Sequence, residues 1–475
     1  MAADDGSKDR GDFVEVSGLS RPVTRRDFLK VAGVGGAALG LAGGLSGALA
    51  ACGTTSSSSS SSGSSASAGG TGRTVKVGFV SPLTGPLAAF GEADQFCVDQ
   101  WNAAVKDGVK CGDGQTHAIE IIIKDSQSDT NRAATVAGDL ITNDGVDVMM
   151  VTSTPDTVNP VADQCEALAT PCVSNDCPLE AYYAGRGVAP FTQGAFKWTY
   201  HAFWGIQDLA NVQLNMWDTI STNKKIGVMW PNDADGQSDA DPKTGLRIYY
   251  NPDGYSVIDG GRFQNGSEDF TTQISKFKAA GVDIVSGVMI PPDFTNFWKQ
   301  CIQQGFKPKA NTMAKALLFP SALEALGNIG YGLSSEVWWS PSHPFTSSLT
   351  GQTCQQLADA YESATGKQWT QPIMHYEVFE VVVDALKRAT SVDDKQIIVD
   401  AIAATDIQTI AGHITWSAGP PLNPGNNVCV TALTGGQWNK GTKYPFNIDV
   451  VNSEWAKKQL GVDIPTTAEF TLIKY

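Results

Sequence analysis

Short apolar runs alternate with amphipathic segments along most of this chain. The run at 75–80 is rich in valine and ends in a loop at 81–86, where two prolines and a glycine interrupt the strand. The next segment, 92–105, places its large apolar side chains on one helical face. A strand, a polar loop and a helix in this order are typical of the first unit of a parallel sheet.

The same alternation repeats through the rest of the chain and predicts an α/β fold. Further runs typical of strands lie at 117–124, 146–151, 171–174, 225–230, 255–258, 282–290, 332–339, 413–416 and 428–433. Helical periodicity is found at 131–141, 157–169, 270–277, 294–304, 354–365, 373–389 and 395–404. Ligands of parallel sheets bind beyond the carboxyl ends of the strands, so the loops there are the first candidates for a site.

Two segments indicate where the chain passes between two domains. Residues 191–204 contain six aromatic side chains, and 332–339 is a β-rich run. We interpret the first as a crossing into a second lobe and the other as the return. The resulting boundaries are 73–197 with 341–405 for the first lobe and 198–340 with 406–475 for the second.

The first 51 residues have the features of an export signal. Arg25 and Arg26 precede a weakly apolar run rich in alanine and glycine, which is typical of twin-arginine signal peptides. The alternative is a transmembrane helix, but the run has too few large side chains to insert well. It ends at 49–52 in the sequence LAAC, which resembles the lipobox of bacterial lipoproteins. We therefore expect a signal peptide at 1–51, cleavage before Cys52 and a diacylglycerol on its thiol.

Residues 52–72 predict a lipidated cysteine followed by a flexible tether. Beyond Cys52 the segment is nearly all Ser, Gly, Ala and Thr, a composition that cannot bury an apolar core. The leader and the tether together predict a domain outside the cytoplasm. We expect it to be lipid-anchored to the outer face of the cytoplasmic membrane or on the periplasmic side.

The charge balance argues against one large class of partner. The chain has a formal net charge of −15, and because the leader is balanced the exported part keeps this charge. Such an acidic surface argues against nucleic acid as a partner. A hydrophobic content of 42% is typical of a globular chain, and no run after the leader is long enough to span a bilayer.

The cysteines outside the leader are even in number. Eight remain once Cys52 is assigned to lipid, and an even number outside the cytoplasm favours disulfides. Eight cysteines allow 105 pairings. The predicted local pairs are Cys97 with Cys111 and Cys165 with Cys172, and free buried thiols are the alternative.

The sequence lacks the common motifs of hydrolases and nucleotide enzymes. It has no G-x-S-x-G elbow, no H-E-x-x-H helix and no P-loop. It also has no C-x-x-C motif, so we expect neither a metal nor a redox site. We predict a binding protein without catalysis or cofactor. A lipid-anchored secreted α/β hydrolase is the less favoured alternative.

The order of the motifs resembles that of a known family. The matching segments are the first strand with its loop at 77–85, the second loop and helix at 125–141, the pattern at 270–283, and the strand at 414–416. Together they resemble the extracytoplasmic solute-binding proteins of ABC importers. The most similar branch is the leucine/isoleucine/valine-binding type, which serves uptake of hydrophobic amino acids and amides.

This resemblance implies a two-lobed periplasmic-binding-protein type I fold. In that fold each lobe is a parallel sheet flanked by helices, and three hinge crossings join the lobes. The lobes close on a small-molecule ligand, and the closed protein, here expected to be a monomer, docks on a membrane permease. A ligand-sensing module for a partner receptor would share the fold and is a further alternative.

The resemblance also implies which positions bind the ligand. Hydroxyls and amides after the third and fourth strands of the first lobe would hold a carboxylate, and these positions are Ser153, Thr154, Ser174 and Asn175. The mouth of the cleft would be lined by Ser81, Leu83 and Thr84. The second lobe would contribute Asp233, Met289 and Lys315.

Lys315 departs from the family pattern. Amino-acid binders of the family use an acidic residue near this position to hold the ligand's ammonium, which a lysine cannot do. If Lys315 faces the cleft, an acidic or carbonyl ligand is favoured. If it points to solvent, or the alignment slips by a few residues, the ordinary amino-acid ligand stands. A branched-chain amino acid, an amide and a related small carboxylate therefore all stay open.

Overall fold

Two sheets organise residues 70–475, the part of the chain that the computed structural model describes. The predicted signal peptide, with Arg25 and Arg26, and the predicted lipid site at Cys52 lie outside these residues. Thr71, at the end of the predicted tether, already pairs with Thr116. Within the described part, no helix combines the length and apolarity that crossing a membrane requires.

The elements follow the predicted alternation. The strands in chain order are β1 (Val75–Ser81), β2 (Val109–Lys110), β3 (Thr116–His117), β4 (Ile119–Asp125), β5 (Val148–Val151), β6 (Cys172–Asn175), β7 (Thr199–Phe203), β8 (Lys225–Pro231), β9 (Ser256–Phe263), β10 (Ile284–Val288), β11 (Ala310–Ala314), β12 (Ser334–Val337), β13 (Asp406–Thr409), β14 (Gly412–Thr415), β15 (Val428–Val430), β16 (Thr434–Lys440) and β17 (Phe446–Asn452). The α-helices are α1 (Asp94–Ala104), α2 (Thr130–Thr142), α3 (Thr154–Ala167), α4 (Leu179–Gly185), α5 (Ile206–Trp217), α6 (Ala234–Ala240), α7 (Arg247–Tyr250), α8 (Thr271–Ala280), α9 (Pro291–Gln303), α10 (Pro320–Leu326), α11 (Cys354–Thr365), α12 (Tyr376–Arg388), α13 (Lys395–Ala403) and α14 (Glu454–Leu460). Short 3₁₀ helices lie at Gly327–Gly330 and Gln371–His375.

The first lobe is built on a six-stranded sheet. Its strand order is β15-β7-β6-β5-β1-β4, and all of its pairs are parallel. Strand β1, formed by the first apolar run, lies between β4 and β5 inside the sheet. Its side chains are buried on both faces of the sheet. Helices α1–α4 and α11–α13 pack around this sheet and each other.

The second lobe is built on a seven-stranded mixed sheet. Its order is β17-β16-β12-β11-β10-β8-β9, in which β16 and β17 are antiparallel to their neighbours. Strand β10 is fully buried in the middle of the parallel part, as its continuous apolar run predicts. The parallel sheets flanked by helices confirm the predicted α/β fold class.

The chain passes between the two sheets three times. It leaves the first sheet after β7, leaves the second after β12, and returns to the second between β15 and β16. The sheet pairing differs from the boundaries predicted at 198 and 406. Strands β7 and β15 lie beyond those boundaries, and both pair within the first sheet.

The aromatic residues that suggested the first crossing have a packing role instead. Strand β7 is buried along its whole length. Tyr182 stacks on His201 with ring centroids 4.3 Å apart and meets Phe196 at 5.2 Å. Phe196 and Tyr200 of this segment are thus buried in the first lobe, whereas Phe203 at the end of β7 meets Trp338, with ring centroids 5.3 Å apart, and the crossing follows it.

The predicted disulfides are not present. All eight cysteines among residues 70–475 are free and buried. Cys97 faces the Ile373 carbonyl, whereas Cys111 faces the Val109 carbonyl on a separate hairpin. Cys165 and Cys172 are neighbours, but burial raises the pKa of the Cys165 thiol and favours its protonated form. Free buried thiols, the alternative weighed from the sequence, describe this interior.

Candidate functional site

A cavity of about 40 Å³ lies between the two lobes. This free space is smaller than that of pockets that hold a small molecule, so a solute of that size enters only when the lobes move apart. The first lobe contributes Phe90, Thr154, Pro155, Asp176, Pro178 and Phe203 to its lining. The rest of the lining is Trp204, Leu209, Asp235, Asp239, Val288, Ala314, Lys315, Leu318, Glu336 and Trp338.

The polar lining comes from the ends of parallel strands. Thr154 follows β5, Asp176 follows β6 and Lys315 follows β11. Because parallel strands all end at the same edge, each lobe directs its own set of polar groups into one cleft. The fold thus brings together residues that are up to 248 positions apart in the chain, the separation of Phe90 and Trp338.

The amino end of α3 forms the first-lobe side of the site. Ser153 and Thr154 both have positive φ, at 77° and 39°, and no side chain caps the helix. Their hydroxyls are buried and have no hydrogen-bond partner within residues 70–475. A helix amino end presents free N–H groups and a partial positive charge, so this end suits an anionic group or a hydrogen-bond acceptor.

Lys315 forms the centre of the second-lobe side. It adopts a left-handed backbone conformation, φ 68°, and its side chain is buried. Its Nζ donates to Asp235 Oδ2 at 2.8 Å and lies 3.9 Å from Asp156 Oδ2. Burial would lower the pKa of Lys315, but the charges of these carboxylates raise it above its ordinary value. The lysine is therefore charged and already paired.

Two further carboxyl groups, those of Glu336 and Asp239, lie beside this ion pair in the cavity lining. Burial raises the pKa of Asp235 to about 6 in spite of Lys315, and raises the pKa of Glu336 to about 7. Glu336 Oε1 accepts a hydrogen bond from the Lys315 backbone N–H at 3.1 Å. Burial, followed by the nearby Asp235 charge, raises the pKa of Asp239 well above its ordinary range. A ligand that stabilises the ionised carboxylates would offset the free-energy cost of burying them.

His375, which does not itself line the cavity, binds Asp176, the remaining carboxylate of the cleft. Its Nδ1 lies 2.6 Å from Asp94 Oδ1 and its Nε2 lies 3.0 Å from Asp176 Oδ2. Burial alone would lower the pKa of His375, but the Asp94 and Asp176 carboxylates raise it to about 9. The imidazolium therefore fixes Asp176 at the cavity wall.

The residues predicted for the mouth lie outside the cavity. The Ser81 hydroxyl donates to Asp94 and so supports the His375 network from a second layer. The Thr84 hydroxyl donates to Asp125 Oδ2 at 2.7 Å and is exposed. Leu83 lies beside it on the same loop, and neither residue is part of the cavity lining.

The residues predicted at the end of β6 support the site without facing it. Ser174 Oγ lies 2.8 Å from His201 Nδ1 and 3.2 Å from the Tyr200 carbonyl oxygen. Asn175 Nδ2 donates to Glu377 Oε2 at 2.9 Å. The next residue, Asp176, is the one that reaches the cavity.

Of the residues predicted in the second lobe, some also support the site without lining the cavity. Asp233 caps α6 by accepting from the Gly236 N–H at 2.9 Å, and it accepts from Asn265 Nδ2 at 2.7 Å. Met289 is buried in the core. Of the ten predicted ligand positions, Thr154 and Lys315 line the cavity and Ser153 adjoins it.

Sequence reasoning missed the acidic character of this site. Asp176 directly follows β6, whereas Asp235 and Asp239 lie in α6, which begins three residues after β8. Glu336 lies inside β12, and His375 lies in a 3₁₀ helix far along the chain. Only the tertiary fold brings these last two to the cleft.

Comparison with known proteins agrees with this architecture. Residues 74–442 match the family described as Periplasmic binding protein, and residues 22–42 match the twin-arginine translocation signal sequence. The second match includes Arg25 and Arg26 and confirms the predicted export signal.

Curated relatives and solved structures are similar over most of the chain. The Leu/Ile/Val-binding protein homolog 7 of Brucella suis biovar 1 is 23% identical over 390 residues, which cover 78% of this chain and 91% of that protein. The leucine binding protein LivK of Thermotoga maritima has a TM-score of 0.63 at 18% identity and covers 80% of this chain and 99% of its own. An ABC-transporter solute binding protein of Rhodopseudomonas palustris, solved with 3,4-dihydroxy benzoic acid, has a TM-score of 0.63 at 17% identity and covers 82% and 99%.

The family match extends from the first residues before β1 to the hairpin of β16 and β17, and thus includes both lobes and the cavity. The structural neighbours have the same two-lobed type I arrangement of parallel sheets and flanking helices. By sequence and by fold, this chain belongs to the periplasmic binding protein family.

Proposed function

We propose that this protein captures a small organic solute in the interlobe cavity, without catalysis, and delivers it to the membrane permease of an ABC importer. The observation that supports this most is the interlobe cavity with its unpaired polar groups. The hydroxyl of Thr154 and Oδ1 of Asp235 come from opposite lobes, are buried, and have no partner among the described residues. Such groups cost free energy unless a ligand satisfies them.

Contacts between the lobes support a closure mechanism. Phe90 of the first lobe packs edge-to-face on Phe319 of the second, with ring centroids 4.8 Å apart. Lys315 approaches Asp156 of α3 from across the cleft. A ligand that touches both lobes shifts the population toward this closed arrangement, which a permease can then distinguish from the open one.

The solute classes come from the relatives. One neighbour, the branched-chain amino acid binding protein LivJ of Streptococcus pneumoniae, was solved with isoleucine, and the Rhodopseudomonas palustris protein with a dihydroxybenzoic acid. The amino end of α3 provides this chain with a place for the carboxylate that both ligands share. An amino acid or a related small carboxylate is the starting class.

A thermal-shift panel on the exported protein tests this proposal. It should contain neutral, acidic and basic amino acids, amides, amines and aromatic carboxylates. A solute at one hundred times its dissociation constant is expected to raise the unfolding free energy by about 2.7 kcal/mol. If no class stabilises the protein, the proposal of a solute-binding function fails.

We further propose that the exported protein is a lipid-anchored monomer held through Cys52. The lipobox-like residues before Cys52 and the Ser/Gly-rich stretch after it support this anchor. Cys52→Ala should move the protein from the membrane fraction to the soluble exported fraction. Ser56→Ala is the matched control and should leave the protein with the membrane. Equal membrane association of the two variants would contradict the anchor.

A further inference from the structure

The charges that line the cavity do not balance. The carboxyl groups of the lining are those of Asp176, Asp235, Asp239 and Glu336. Among the described lining residues, one ammonium, that of Lys315, stands against these four carboxyl groups. Burial raises the pKa of all four, so the ligand-free cleft carries less negative charge than the formal count, and a bound cation would favour their ionised forms. Asp156 lies at the edge, 3.9 Å from the Lys315 ammonium, and adds a further carboxylate.

Lys315 does not supply positive charge to a ligand. Its Nζ is bound to Asp235 at 2.8 Å, and its side chain is 6% exposed. An anion placed in the cavity would therefore meet the surrounding carboxyl groups, and no lining residue within 70–475 offers an unpaired cation to offset them. The preference for acidic ligands that a cleft-facing lysine predicts is reversed by the residues around it.

The acidic groups also have unused hydrogen-bonding capacity. Asp235 Oδ1 is buried and has no partner within residues 70–475, although the side chain is only 7% exposed. Asp239 is 6% exposed, and its carboxyl group accepts no hydrogen bond from the described part of the chain. Carboxylate oxygens are acceptors, so the groups that they lack are N–H or O–H donors, and charged donors give the strongest bonds.

The lining favours an organic cation over a metal ion. No group of three or more His, Cys, Asp or Glu side chains within residues 70–475 has an arrangement that fits a metal. The same cavity contains Phe203, Trp204 and Trp338, whose rings attract organic cations by the cation–π effect. Aromatic faces beside carboxylates suit a nitrogen cation attached to a carbon chain.

We propose that the cleft selects solutes of net positive charge, whose N–H-bearing cationic group is held between Asp235 and Asp239 of the second lobe and Asp176 of the first. This inference rests on the proposed solute-binding function and narrows its ligand class. The amino end of α3 takes the opposite, acceptor end of the solute. Basic amino acids and the amines related to them have this distribution of charge.

Calorimetric titration of the exported protein with matched probes tests the charge preference. Arginine and citrulline are nearly isosteric and differ in the guanidinium charge, and lysine differs from norleucine by its ammonium. We expect arginine, lysine or agmatine to bind at least ten-fold more tightly than citrulline, norleucine, leucine and benzoate. Binding of a neutral or anionic probe that equals or exceeds that of every cation overturns this inference but leaves the solute-binding function intact. If none of these probes binds, both the charge preference and the solute-binding function are overturned.

A substitution locates the cationic subsite. Asp239→Asn keeps the shape of the side chain and removes its charge, and it should weaken the best cationic probe at least ten-fold. Asp253→Asn is the matched control, since Asp253 is an exposed carboxylate of the same lobe. Midpoints of thermal unfolding without probe show whether each variant is folded. Unchanged affinity in folded Asp239→Asn would overturn the assignment of this residue.

Discussion

The two faces of the cleft use buried carboxylates in opposite ways. On the first lobe, both oxygens of Asp94 and one oxygen of Asp176 are bound, because His375 lies between the two residues and Ser81 donates to Asp94. On the second lobe, Lys315 binds one oxygen of Asp235 and leaves the other without a partner among the described residues. The first network is paired except for one oxygen of the cavity-lining residue Asp176, whereas the second is only half satisfied.

This difference separates support from recognition. A fully paired buried network fixes one conformation and has little left to gain from a ligand. A half-satisfied network raises the free energy of the unliganded state and recovers that cost when a ligand supplies the missing donors. We therefore expect changes in the first network to affect stability, and changes in the second to affect binding and its pH dependence.

The largest expected effect is that of His375→Ala. Removing the imidazolium leaves Asp94 and Asp176 facing each other without a cation, and breaking a buried ion pair from one side costs about 3–5 kcal/mol. Urea unfolding of the variant and the parent at pH 7 measures this difference.

His413→Ala is the control for that measurement. His413 also pairs with an aspartate, Asp406, at 2.6 Å, but this pair is on the surface. Exposed pairs contribute about 0–1 kcal/mol. Losses of similar size for the two variants would show that the buried network is not a stabilising unit.

The sequence predicts the strands and helices that carry this network, but not the contacts between their side chains. Strand β1, helix α1 and the helix that follows 373 were all recognised from periodicity, and Ser81 was placed at a strand end. His375 lies within the segment 373–389, which periodicity predicts as a helix. Its partners Asp94 and Asp176 are 281 and 199 residues away in the chain. No local pattern encodes a contact of that range.

In the second lobe, the sequence likewise predicts the elements but not the charge of the site. Periodicity and turn residues predict β8 and β10 but not β11, and the sequence shows the departure of Lys315 from the family pattern. Its consequence depended on Asp235, 80 residues earlier, which converts a free cation into a paired one. The fold class follows from local patterns, whereas the sign of the site depends on side chains that only packing brings together.

The second-largest expected effect is a difference in pH dependence: the two networks contribute to the free energy of unfolding over different pH ranges. Burial raises the pKa of Glu336 to about 7, and a carboxyl whose pKa is higher in the folded state favours folding when protonated. The free energy of unfolding should therefore fall as pH rises from about 4.5 to about 7 and change little above that. The carboxylate partners of His375 raise its pKa to about 9, so its contribution is present below pH 6.5 and is lost as pH rises through 9.

Glu336→Gln tests this separation. The variant should reduce the loss of unfolding free energy between pH 5 and pH 8 by about 2 kcal/mol, and leave the loss between pH 8 and pH 10 unchanged. Denaturant titrations at these three pH values give the result. Glu324→Gln, at an exposed glutamate of the same lobe, should follow the parent at every pH. A parallel curve for Glu336→Gln would show that the second-lobe carboxyls do not titrate as a separate group.

The smallest expected effects distinguish two hydroxyls of the first lobe. The Thr154 hydroxyl has no partner within residues 70–475 and lines the cavity, so Thr154→Val should leave stability within about 0.5 kcal/mol. It should weaken the best solute by about ten-fold, since the solute loses one hydrogen bond. The Ser174 hydroxyl is already bonded to His201 and the Tyr200 carbonyl, so Ser174→Ala should cost about 1 kcal/mol of stability and leave affinity unchanged. Titration and urea unfolding of both variants measure the four quantities. If the two variants lose affinity equally, the hydroxyl after β6 also reaches the solute, and the division between a supporting and a recognising layer in the first lobe does not hold.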